Sequence, residues 1–152
     1  MNALTDLFTL DRIALDSPSK NRAEAFAAVG GLFAKQVGLE PQAIVGFLNA
    51  REDLGSTALG AGVAIPHGRV KGLKHPIAAF VKLKEPIEFA APDGEAVSLL
   101  IFLLVPEKAT QQHLEILSSI AQLLSDQDAR KSLASETSPE KVCQLLQTWG
   151  SA

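Results

Sequence analysis

Residues 51–69, Arg-Glu-Asp-Leu-Gly-Ser-Thr-Ala-Leu-Gly-Ala-Gly-Val-Ala-Ile-Pro-His-Gly-Arg, gather most of the side chains in this sequence that could do chemistry. Four of the chain's 11 glycines (Gly55, Gly60, Gly62 and Gly68) fall there, and the segment closes on Pro66-His67-Gly68-Arg69. Glycine lets a backbone take positive φ or approach a ligand closely, so the segment reads as a glycine-rich loop displaying His67. A neutral imidazole is a competent nucleophile near pH 7 and can accept a phosphoryl group directly. Such a site then needs donors for the phosphoryl oxygens rather than a large catalytic apparatus. Loop N–H groups, the guanidinium groups of Arg51 and Arg69, and a second imidazole would supply them. His113 is the candidate second imidazole, because it follows an apolar run and opens a helix, where open α/β sheets place their ligands. Its position on an apolar helix stripe equally fits a hydrogen-bonded core histidine. His75, ahead of Pro76 at a strand entrance, reads as structural or solvent-exposed.

Other chemistries fit less well. A zinc site would want three or four ligands in fixed geometry. The three histidines stand 8 and 38 residues apart, with no His-x-x-x-His pair and no cysteine cluster. A Ser/His/Asp hydrolase built on Ser56 or Thr57 lacks the Gly-x-Ser-x-Gly elbow. No Gly-x-x-x-x-Gly-Lys-Ser/Thr loop is present, so a nucleotide is not the expected phosphoryl donor. A net charge of −3 and scattered basic residues argue against nucleic-acid binding, and Arg69-Val-Lys-Gly-Leu-Lys74 reads as a solvated loop. The single cysteine, Cys143, lies in a helical pattern, fits a reducing compartment and reads as a small buried side chain. The opening residues lack the pattern of a signal peptide, and the longest apolar run, 99–105, is far short of a membrane span. These features predict a cytoplasmic protein with no direct membrane insertion.

The elements that must position the site follow from periodicity and punctuation. Residues 4–15 read as a short helical turn and a brief extended piece, Arg12–Leu15. Ser17-Pro18 then supplies an N-cap and a first-turn proline. Phe26, Val29, Phe33 and Val37 follow at helical spacing, with Gly38 as the stop. Pro41 opens a second helix with Ile44, Val45 and Leu48 on its apolar face, ending near Arg51. After the glycine-rich segment, Ile77–Leu83 reads as a strand, Lys84–Pro86 as a turn, Ile87–Phe89 as a short strand and Pro92-Asp-Gly94 as a turn. Val97–Val105 is nearly all apolar without alternation, which predicts a central strand covered on both faces. A helix over 110–125 would bury Leu114, Leu117, Ile120, Ala121 and Leu124. A short helix follows at 128–134, and Ser138-Pro139 caps a last one with Val142, Leu145, Leu146 and Trp149 on its apolar face. The fold class is α/β: a single domain with a mixed β-sheet flanked by helices on both faces.

Arg-Glu-Asp-Leu-Gly-Ser-Thr at 51–57, Ile-Pro-His-Gly-Arg at 65–69, Leu-Val-Pro at 104–106 and His-Leu-x-x-Leu at 113–117 together resemble the fructose/mannitol-type enzyme IIA (EIIA type 2) family of the phosphoenolpyruvate-dependent phosphotransferase system. The resemblance covers residues 5–149, in order and with natural spacing. It implies that His67 is the phosphoacceptor, modified at Nε2. It also implies that His113 helps bind the phosphoryl group and that Arg51 ligates phosphoryl oxygens, with Arg69 in a supporting place. No metal or organic cofactor is implied. The implied donor is a small histidine phosphocarrier protein.

The short helix before the first strand looks like the nitrogen-regulatory branch. Members of that branch act on regulatory targets, such as sensor kinases and potassium transporters, according to phosphorylation state. A free-standing sugar-specific IIA that passes phosphate to a IIB domain is the alternative. A binding module that is never phosphorylated is another.

Overall fold

The stretch Val97–Val105 contains a single polar side chain, Ser98, so neither of its faces can be given to water. In the computed structural model, which describes residues 4–108 and 110–149, it becomes the middle of a sheet. The elements are β1 (Ile13–Ser17), α1 (Arg22–Val37), α2 (Pro41–Glu52), β2 (Ala58–Gly60), β3 (Val63–Ala64), β4 (His67–Val70), β5 (Ile77–Ile87), β6 (Val97–Pro106), α3 (Gln111–Ser125), α4 (Gln127–Ser135) and α5 (Pro139–Thr148). A single 3-10 turn, Leu10–Arg12, precedes β1. The strands make one mixed sheet in the order β1-β5-β6-β3-β2, with β4 also paired to β6.

Alternate residues of β6 enter two cores. Leu100, Phe102 and Leu104 pack with Phe26, Val29 and Phe33 of α1 and with Ile44 and Leu48 of α2. Leu99, Ile101 and Leu103 face the other way, against Ile116, Ile120 and Leu123 of α3, Leu133 of α4, and Val142 and Leu146 of α5. Helices therefore cover both faces, as the unbroken apolar run requires. Each fully buried Leu or Phe contributes about 1.5–3 kcal/mol of hydrophobic free energy. Cys143 is a buried member of the second core.

Several helix ends follow their sequence signals. Gly38 takes φ 69° and its N–H reaches the Ala34 carbonyl, closing α1. Pro41 starts α2, and Ser138 caps α5 through the Lys141 N–H. Other expectations are corrected. Ser17-Pro18 does not begin α1: Ser17 ends β1, with its hydroxyl 3.3 Å from that of buried Ser19. The N-cap is Asn21, whose side-chain oxygen accepts the Glu24 N–H at 2.8 Å. Lys84–Pro86 is not a turn, because β5 runs on to Ile87 across a register shift. The buried face of α3 is His113, Ile116, Ile120, Leu123 and Leu124, and Leu114 is 61% exposed.

Two long cationic side chains tie layers together. Buried Arg12 donates from Nε to the Ala78 carbonyl and from Nη2 to the Leu7 carbonyl, both at 2.9 Å. Lys82 of β5 reaches the end of α4, where its ammonium donates to the carbonyls of Leu133, Ala134 and Glu136. Those carbonyls belong to a helix C-terminus, where intrahelical donors run out and a positive charge is favoured.

Candidate functional site

The glycine-rich segment is not one displayed loop. It folds as β2, a tight turn, and then β3 and β4 laid end to end along one edge of β6. The register shows this: Val63, Ala64, His67 and Gly68 pair with Leu99, Leu100, Leu103 and Leu104, a constant offset of 36 residues. The Leu103 N–H donates to the Pro66 carbonyl at 3.0 Å, which carries the parallel ladder across the Ile65-Pro66 break. His67 is therefore the first residue of a strand and half-buried.

Gly68 is needed for room rather than for an unusual φ. A Cβ there would sit 2.9 Å from the Phe47 carbonyl oxygen and 3.0 Å from the Phe47 carbonyl carbon, both in the backbone of α2. The close approach that glycine permits is thus to a helix, and it brings the end of α2, with Arg51, up beside His67. The turn between β2 and β3 uses glycine differently: Gly60 and Gly62 take φ of 92° and 78° around Ala61 at 56°.

His67, Arg51, Arg69 and His113 all line one cleft of about 830 Å³, together with Phe47, Ala50, Leu54, Gly68, Thr110, Leu114 and Leu117. Side chains from α2, β4 and α3 converge there although His67 and His113 are 46 residues apart. His75 is exposed and outside this lining. Leu54, 83% exposed, and Leu114, which its spacing had put on the buried face of α3, form an apolar rim.

The two imidazoles are held in opposite tautomers by backbone groups. Nδ1 of His67 lies 2.8 Å from the Ile65 carbonyl oxygen. A carbonyl only accepts, so Nδ1 carries the proton and Nε2 keeps its lone pair. At His113 the Thr110 N–H donates to Nδ1 at 3.3 Å, so the proton of the neutral ring sits on Nε2. Burial holds the His67 imidazole below the ordinary histidine value, against an upward push from the Ile65 hydrogen bond. Arg51 and Arg69 lower it further and Glu52 opposes them. The ring is accordingly neutral at pH 7, an acceptor of electrophiles rather than a cation.

Arg51 is half-buried, with Nη1 donating to the Gly55 carbonyl at 2.8 Å. The hydroxyls of Ser56 and Thr57 are committed elsewhere, to the Phe89 carbonyl and the Glu52 carboxylate, so neither serves as a hydrolase nucleophile. Among the described residues no group of three His, Cys, Asp or Glu side chains is arranged to hold a metal ion.

The chain that folds into this sheet matches a known family. Residues 6–149 fit the family model described as phosphoenolpyruvate-dependent sugar phosphotransferase system, EIIA 2. The chain belongs to the EIIA 2 family. A curated relative named nitrogen regulatory protein, from Pseudomonas aeruginosa, is 39% identical over 147 residues, 96% of each chain. The crystal structure of the nitrogen regulatory protein IIA-Ntr from Neisseria meningitidis is 43% identical with a TM-score of 0.90, covering 93% of this chain and 97% of its own. The mannitol IIA of Escherichia coli is more distant, 27% identical with a TM-score of 0.75 over 91% of this chain and 98% of its own. The α/β fold with a mixed sheet between helical layers is therefore that of EIIA 2 proteins, both regulatory and sugar-specific.

Proposed function

We propose that this EIIA 2 protein is a phosphoryl-accepting regulatory protein of the nitrogen-related branch, acting in the cytoplasm. The supporting observation is the His67 tautomer: with Nδ1–H donated to the Ile65 carbonyl, Nε2 is the ring nitrogen left to attack. A small histidine phosphocarrier protein presents a phosphohistidine, and His67 Nε2 attacks phosphorus in line. The new N–P bond forms as the carrier's N–P bond breaks, and that electron pair returns to the carrier imidazole. No general base is required, because Nε2 already carries its lone pair. The Nδ1 proton stays against Ile65, whose carbonyl takes up the positive charge the ring gains. Arg51 and the Nε2–H of His113 bind phosphoryl oxygens by charge-assisted hydrogen bonds. Transfer between two imidazoles is close to thermoneutral, so the protein's task is positioning. The apolar rim of Leu54 and Leu114 supports a protein rather than a small molecule as the donor.

The phosphorylation state then controls regulatory partners, a reading supported by relatives of 39% and 43% identity that carry nitrogen-regulatory names. Likeness to the E. coli mannitol IIA, solved in complex with phosphorylated IIB, supports the second reading of onward transfer to a IIB domain. Incubation with a phosphorylated carrier tests the core of the proposal. His67→Ala should abolish labelling, and His113→Ala should slow it while leaving the fold intact. Full labelling of the His67 variant refutes the assignment. A chase of the labelled protein with IIB separates the two branches, since rapid loss of label favours the sugar-specific one.

A further inference from the structure

Glu52 is the one buried carboxylate among the described residues, 4% exposed, and the mechanism above gives it no task. It is the last residue of α2, next to Arg51. A negative charge at a helix C-terminus opposes the helix dipole, and burial disfavours it further. Among the described residues no cation forms an ion pair with it. Its oxygens instead take both donors of one residue: Oε2 accepts the Thr57 N–H and Oε1 the Thr57 hydroxyl, each at 2.8 Å. That fork spans the turn 53–56, whose Gly55 carbonyl receives the Arg51 guanidinium. The Gly55 N–H closes the same turn on the Glu52 carbonyl at 3.0 Å. Beyond Thr57 the chain runs directly into the sheet, where the Ile65 N–H donates to the Thr57 carbonyl at 3.1 Å, and Ile65 is the residue that sets the His67 tautomer.

We propose that Glu52 is a positioning residue of the phosphoryl site, acting through Thr57 to hold the 53–57 turn that aims Arg51 and the Ile65 carbonyl that orients His67. Two links meet in this carboxylate, one to the guanidinium and one to the imidazole. Its charge at the end of α2 also favours the protonated His67 ring, countering Arg51 beside it and Arg69 on β4, while His113 lines the cleft from α3. The role rests on the phosphoryl-acceptor reading of His67, although the wiring itself is a property of the fold.

Glu52→Gln keeps the shape and removes the charge, and it sets an amide against the Thr57 N–H in one of its two flips. Thr57→Val breaks the fork from the other side. Glu88→Gln removes an equal charge from an exposed carboxylate outside the cleft and serves as the control. With a phosphorylated carrier, Glu52→Gln should label about 10- to 100-fold more slowly, the loss expected when a reacting geometry is displaced by about an ångström. Glu88→Gln should match the wild type. Because Glu52 acts through Thr57, the double variant should be no slower than Glu52→Gln alone. In parallel, nitrogen-15 spectra of the His67 ring should show its titration midpoint moving down in Glu52→Gln and the Arg51 side-chain N–H resonances losing protection from exchange. A Glu52→Gln protein that labels at the wild-type rate, or additive losses in the double variant, overturns the inference. Failure of the wild type to label overturns the function proposed for His67 instead. In that event an unmoved His67 midpoint and unchanged Arg51 exchange overturn the inference independently.

Discussion

Adding one methyl group at Gly68 puts the packing beneath the cleft to a sharp test. The new Cβ would lie 2.9 Å from the oxygen and 3.0 Å from the carbon of the Phe47 carbonyl, and 3.3 Å from the Leu48 nitrogen. All three atoms are helix backbone, so no side chain can swing away, and β4 and α2 must separate. Overpacking of this kind costs about 1–3 kcal/mol. An unfolding entropy of about 2.1 cal/mol/K per residue gives this 152-residue chain about 0.3 kcal/mol per degree, so Tm should fall by about 3–9 °C in Gly68→Ala. His67 opens β4 and Arg51 lies at the end of α2, so the same separation should slow labelling by a phosphorylated carrier about 10- to 100-fold. Gly46→Ala is the internal comparison. It adds the same methyl to the exposed side of α2, where nothing lies within 4 Å. There, helix propensity alone should act, raising stability by about 0.5–1 kcal/mol. Thermal unfolding by circular dichroism measures both variants. If Gly68→Ala melts within about 1 °C of the wild type and labels at the same rate, close packing is not why glycine stands at this position.

Three further outcomes follow from other parts of the molecule. Because burial lowers the folded-state affinity of His67 for a proton, the unfolded chain protonates first as pH falls. Stability from this residue is therefore present above the ordinary imidazole value of about 6.5 and is lost as pH falls from there through the lowered folded value, and His67→Ala should flatten that part of a stability–pH curve from urea titrations. Lys82→Met should cost about 1–2 kcal/mol by leaving the carbonyls at the end of α4 without their ammonium donor, with hydrogen exchange rising first in residues 131–136. Ala61→Gly should stabilise the fold by about 1 kcal/mol, because Ala61 holds φ 56° in a region that side chains other than glycine enter at a cost; an unchanged urea midpoint would contradict this.

The sequence disclosed long-range architecture better than short-range geometry, for identifiable reasons. Nine residues from Val97 to Val105 with one polar side chain admit only a two-sided burial, and Pro41 and Ser138-Pro139 mark helix starts by chemistry that context rarely overrides. Strands of two to four residues, by contrast, carry too few alternations to register as a period, and glycine is a poor strand former. The 58–70 segment therefore read as a loop, although its register is set by β6 rather than by its own residues. Ser17-Pro18 satisfied a local capping rule, but the tertiary pairing of β1 with β5 claimed Ser17, leaving Asn21 to begin α1. Leu114 looked like core by spacing, and only the way α3 lies on the sheet turns it outward beside the cleft. His67, Arg51 and His113 could be named as candidates from the sequence and its family resemblance, and the fold brings all three to one cleft. Glu52 was not, because a carboxylate at a helix end looks solvated until its two donors are seen in place.

The sheet divides the interior into two cores that share β6 but contact it from opposite sides. Arg51 is carried by a helix of one core and His113 by a helix of the other, with His67 on the strand at the boundary. The cleft is thus a seam between two half-proteins, and its width is fixed by neither half alone. A partner that grips both rims would act as a clasp, and its binding would lend each half the stability of its neighbour.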